Sequence, residues 1–95
     1  MPPDVQSCVR KFVPNNAPLS RLLTKVLNNV YNVRYLPMDL VRLVVRRAFE
    51  LERDLDMDID SSIFEEKVTL YAHQLRPRFA SKINQIRRQQ VKRWR

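Results

Sequence analysis

Residues 54–66 read DLDMDIDSSIFEE: aspartate at every second position, then two serines, then paired glutamates, in a chain whose formal net charge is +8. The residues on either side carry helical patterns, so the architecture turns on this stretch. It is an ion-binding loop, an acidic strand or a hinge between helices. Asp54, Asp56, Asp58, Asp60, Ser62 and Glu65 fall on the alternating ligand positions of a calcium-binding EF-hand loop. β-Branched Ile59, however, stands where such a loop needs glycine for its sharp turn, and polar Ser61 stands where that family places an apolar residue. The geometric positions fail while only the acid-rich ones match, and no metal is expected. A connector accounts for more of the residues. Ser62 and Glu65 have capping-box spacing, carboxylates near a helix start are favoured by its dipole, and Leu55, Met57 and Ile59 alternate with the aspartates so as to tuck against a core.

Upstream of the connector, PMDLVRLVVRRAFELERDL (37–55) opens on a proline and has Asp39 in its first turn. Leu40, Val41, Leu43, Val44, Val45, Ala48, Phe49, Leu51 and Leu55 cover more than one narrow face, so this helix either packs on both sides within the chain or meets another chain. Arg46 and Glu50 have the i, i+4 spacing of an ion pair worth a few tenths of a kcal/mol. Earlier, NNAPLSRLLTKVLNNVYNVRYL (15–36) carries Leu19, Leu22, Leu23, Val26, Leu27, Val30 and Val33 on one stripe, and starts where Asn16 or Ala17 precedes Pro18. Asp4 before Val5, Cys8, Val9 and Phe12, closed by Pro14, marks a short N-terminal helix. Downstream, Phe64, Val68, Tyr71, Ala72 and Leu75 share a phase until Pro77, which removes a backbone hydrogen bond and disfavours helical geometry at Arg76. Phe79, Ile83 and Ile86 keep that phase, so two helices in close succession, or one kinked helix, are expected there. The predicted fold is all-α: a small bundle of three main helices (about 18–35, 38–56 and 62–76), a short N-terminal helix, and a basic C-terminal helix after Pro77 whose end, 87–95, forms a basic arm.

Ninety-five residues with 44% apolar content support one small core, hence a single helical domain over 1–95. The absence of glycine argues against phosphate-cradling loops and tight hairpins, and so against P-loop, Rossmann and most β folds. A lone Cys8 can form no internal disulfide, and no apolar run reaches the ~20 residues of a membrane span, so a reducing compartment, cytoplasm or nucleus, is expected and no membrane partner. The opening MPPDVQSCVRKF resembles neither a signal nor a transit peptide and is read as part of the mature protein. His73, the single histidine, reads as half-buried and structural, and Cys8 as packed. Together they are too few for a zinc site, and no motif sets a nucleophile beside a base. No cofactor and no enzymatic activity are expected.

The charge falls in blocks. Residues 1–47 hold eight Lys/Arg against two Asp/Glu, residues 48–66 one against eight, and residues 67–95 nine against none. Lys82, Arg87, Arg88, Lys92, Arg93 and Arg95 gather near Trp94, a cationic helix ending beside a ring able to stack on a base. Arg42, Arg46 and Arg47, together with Arg21 and Lys25, extend the expected footprint. The reading that follows is a nucleic-acid-binding protein that grips the phosphate backbone of duplex RNA or DNA with little sequence preference. The alternative is a regulatory protein-interaction module whose basic face holds an acidic or phosphorylated peptide. Pairing of two copies through the second main helix would repeat the basic stripes across a homodimer. In architecture and charge this outline is similar to the small all-helical duplex-RNA-binding silencing suppressors of nodaviruses. Ile83, Asn84, Arg88 and Arg93 approach the spacing of a calmodulin-binding IQ motif, but Asn84 replaces its glutamine and Gln89 its glycine. A membrane-surface helix is disfavoured because the apolar face thins after Ile86. A histone fold is excluded because the connector ends the second main helix too early.

Overall fold

The computed structural model describes residues 4–93, with side chains described through Arg88. Every regular element among these residues is a helix: α1 Val5–Phe12, α2 Ala17–Tyr31, α3 Met38–Arg53 and α4 Ser62–Arg93. The all-α architecture follows the apolar spacing, and most of the starts follow the capping chemistry. Asp4 accepts a 2.8 Å hydrogen bond from the Ser7 amide, and Asn16 accepts one of 3.2 Å from Leu19, with Pro18 in the first turn. Pro37 precedes α3 without a side-chain cap, leaving Asp39 as the favourable charge of the first turn. For α4 the cap lies one residue earlier than its spacing suggests: Ser61 Oγ accepts from the Ile63 amide at 3.2 Å. Glu65 therefore does not close a capping box on Ser62. Its carboxylate instead meets Lys25 of α2 at 3.0 Å.

The helix ends differ from the sequence reading in ways that local chemistry explains. The second helix stops at Tyr31 rather than near 35, because Asn32 turns into the left-handed region (φ 50°) while its amide still donates to the Asn28 carbonyl. Val33 and Leu36 are buried, but from the link that follows. The third helix stops at Arg53, and Leu55 is 59% exposed instead of completing an apolar face. Met57 and Ile59 do pack against the core, so two of the three apolar residues of the connector behave as their alternation predicts. Asp56, at φ 51°, makes the other left-handed turn. A chain without glycine places Asn and Asp at these two positions because their short polar side chains tolerate that backbone best.

The largest difference is at Pro77. Of the two arrangements expected there, a separate basic helix is not found and a single helix is: α4 runs unbroken from Ser62 to Arg93 with the proline inside it. Leu75, Phe79 and Ile83 are all buried, whereas Arg76, Pro77 and His73 are exposed. The carbonyl that loses its partner, that of His73, thus lies on the wet side of the helix, where water can replace the missing amide. Burial of the continuous apolar stripe outweighs the proline's cost. His73 is exposed, not half-buried, since it lies off that stripe.

α1 packs against both α2 and α3, as does α4, so the cyclic order around the bundle is α1, α2, α4, α3. α3 packs on two sides within the chain, against α1 and α4, which accounts for most of its broad apolar surface. One core results, centred on fully buried Leu19, Leu23, Leu27, Leu40, Val41, Val44, Leu51, Phe64 and Val68. Thirty-two residues of α4 span about 48 Å at 1.5 Å per residue, matching the 46 Å long axis of the molecule. α4 is the spine. Tyr31, the last residue of α2, fastens to it twice: its hydroxyl donates to the Ala72 carbonyl, and its own carbonyl accepts from Arg87 at 3.0 Å.

Candidate nucleic-acid interface

About three turns of helix, two on α3 and one on α4, bring the relevant cations together. On α3, Asp39, Arg42, Leu43 and Arg46 recur at i, i+3, i+4 and i+7 and so share one face. On α4, Arg78, Phe79 and Lys82 cluster on one side in the turn that directly follows Pro77. The two faces line a single open groove of about 440 Å³. Arg42, Arg46, Arg78 and Lys82 supply its positive charge, Leu43 and Phe79 its apolar floor, and Asp39 its only carboxylate.

The supporting contacts orient these heads without neutralising most of them. Lys82 Nζ and the Arg78 guanidinium lie 5.6 and 5.9 Å from the Phe79 ring centroid, and Arg42 lies 5.8 Å from that of Phe12 on α1. Each is a weak cation–π contact, about 0.5–1 kcal/mol at such exposure. Lys82 also meets Asp39 at 3.6 Å, with both side chains more than half exposed, a solvated pair that a polyanion can displace. Glu50 does not take up Arg46, as the i, i+4 spacing suggests. It pairs with Arg47 at 3.2 Å and leaves Arg46 to the groove.

The sequence-predicted residues therefore divide. Arg42, Arg46 and Lys82 converge. Arg47 does not line the groove: its guanidinium sits between Glu50 and the Tyr71 ring, 5.9 Å from the ring's centroid. Arg87 is engaged at the C-terminal end of α2, where its charge meets the negative pole of that helix. Arg88 is exposed on α4. The side chains of Lys92 and Arg93, and all of Trp94 and Arg95, lie outside the described residues. None of the cations contacts Asp54, Asp56, Asp58 or Asp60 in an ion pair among the described residues. The four aspartates are exposed, and no group of three potential metal ligands forms among the described residues.

Sequence reasoning misses Arg78 and Asp39. The uncertainty at Pro77 between two helices and one hides the first, since Arg78 joins Phe79 and Lys82 only if the helix continues. Asp39 reads as a dipole partner alone, although its i, i+3 and i+7 relation to Arg42 and Arg46 places it on their face. Arg21 and Lys25 do not enlarge the same footprint, as their charge alone suggests. They line a different groove of about 540 Å³ between α1 and α2, with Arg10, Gln6 and Asn28.

Cys8 is 3% exposed, and burial raises its thiol pKa, so it is a packed side chain and a poor nucleophile. Among the described residues no helix is long and apolar enough to cross a membrane. Comparison with protein-family models, with curated proteins and with solved structures finds no match to this chain.

Proposed function

We propose that this protein is a non-enzymatic nucleic-acid-binding protein that holds a phosphate backbone in the groove between α3 and α4. The observation carrying this reading is the convergence of Arg42, Arg46, Arg78 and Lys82 from two helices onto one open surface with a single carboxylate among them. Such a groove suits a polyanion whose charges repeat along its length, because each phosphate it neutralises releases condensed counterions. Its contacts address phosphate oxygens and leave base edges unread, so sequence preference is low. The sequence of α4 stays basic beyond the groove, with Arg87, Arg88, Lys92 and Arg93 following Lys82.

Fluorescence anisotropy with single-stranded and duplex RNA and DNA over a salt series tests the reading. Affinity is expected to fall linearly in log–log form. The triple variant Arg42→Ala, Arg46→Ala, Arg78→Ala is expected to reduce the slope by about 2 to 3, near 0.9 for each phosphate it no longer neutralises. No binding at low salt rejects it.

The second reading, capture of an acidic or phosphorylated peptide, is favoured by one feature: Leu43 and Phe79 give the groove an apolar floor. A phosphopeptide that binds the triple variant poorly, and that duplex fails to displace from the unaltered protein, would favour this reading over the first.

A further inference from the structure

The α1–α2 groove and the α3–α4 groove have no lining residue in common. In the cyclic order α1, α2, α4, α3 the pairs α1–α2 and α3–α4 are opposite edges, so the two grooves open on opposite flanks of the bundle. Arg10, Arg21 and Lys25 supply the charge of the first, and its lining contains no carboxylate; Gln6, Asn28 and Thr24 add hydrogen-bond groups. Lys25 is shared with Glu65 at 3.0 Å, while Arg10 and Arg21 are exposed and unpaired among the described residues. A cross-section of 26 × 19 Å separates the flanks. A straight duplex lying along one groove therefore cannot reach the other, and bending it around so small a body costs several kcal/mol.

We infer that the chain is a bridging protein, one copy holding two separate nucleic-acid segments, one in each groove. This rests on the α3–α4 groove being a phosphate site and adds the α1–α2 groove as a second one. The partner is the same in both, a sugar-phosphate backbone, because each groove offers several cations spaced along helices and neither offers an enclosed pocket for a small ligand. Bridging by a single copy has a signature that self-association lacks: it depends on both grooves of the same chain.

The test mixes two short duplexes of one sequence, one carrying a donor dye and the other an acceptor, and reads energy transfer alongside anisotropy. With the unaltered protein below duplex concentration, transfer is expected to appear, then to decline as excess protein gives each duplex its own copies. The variant Arg10→Ala, Arg21→Ala is expected to retain anisotropy binding through the α3–α4 groove and to lose transfer, and Arg10→Lys, Arg21→Lys to keep both. Equal helicity by circular dichroism assigns the loss to the groove, as these arginines are exposed. Binding without transfer by the unaltered protein would overturn the inference, as would undiminished transfer by the alanine variant. Absence of all binding would instead reject the phosphate site of the α3–α4 groove, on which the inference stands.

Discussion

Asn32 and Tyr31 show how much one position can carry. Asn32 turns the chain at φ 50° where no glycine is present, and a β-branched side chain would clash with its own backbone there. Asn32→Val is expected to destabilise the fold by about 1–2 kcal/mol and Asn32→Gly by far less, as urea unfolding would show. Tyr31 is 1% exposed, and burial pushes its pKa up to about 12 from the ordinary 10. The folded state thus holds its phenol proton more tightly than the unfolded chain does. This contribution to stability is complete below pH 10 and is lost as pH rises from there through about 12. Tyr31→Phe should flatten that alkaline decline relative to the unaltered protein. Near neutral pH it should cost about 1 kcal/mol for the bond to Ala72. An unchanged alkaline profile would show that the phenol does not titrate in place.

At the scale of elements, α4 poses the sharpest question, because a proline sits near its middle and the helix continues. Burial of Leu75, Phe79 and Ile83 on one stripe, with Pro77 facing water, explains the continuity. If the proline is merely tolerated, Pro77→Ala should raise stability, by about 1–3 kcal/mol given the ~3 kcal/mol helix-interior cost of proline, and leave nucleic-acid affinity unchanged. A loss of affinity in thermally stabler Pro77→Ala protein would show that the proline sets the path of the basic half of the helix. Caps act at the same scale. Asn16→Ala should cost α2 about 1 kcal/mol through the freed Leu19 amide, measurable by thermal unfolding.

For the whole molecule, the charge distribution matters more than the total. A net charge of +8 spread evenly would attract any polyanion weakly. Here the acidic connector is exposed and engages no described cation, while cations from α3 and α4 share one groove and those from α1 and α2 another. Asp39 is the internal competitor in the α3–α4 groove, held 3.6 Å from Lys82. Asp39→Asn should therefore raise duplex affinity, with the larger gain at low salt where the displaced pair is strongest. Equal affinity across the salt series would mean that Lys82 does not reach the ligand.

That the chain is helical, where most helices begin and most of the core were readable along the chain, because these rest on local chemistry. Apolar side chains at 3.6-residue spacing mark a buried stripe, and Asp4, Asn16 and Pro18 mark starts whatever lies elsewhere. Sequence spacing could not say that Glu50 would choose Arg47 over Arg46, that Leu55 and His73 would face water, or that Arg87 would close the end of α2. Those outcomes depend on what stands across from each side chain in space. The same holds for the proposed site. Arg42, Arg46 and Lys82 were visible as cations, yet their union with Arg78, and their separation from Arg21 and Lys25, came from the order in which four helices pack. Burial free energy acts on apolar residues whose pattern is written in the chain. Charges stay at the surface, and packing alone determines which of them become neighbours.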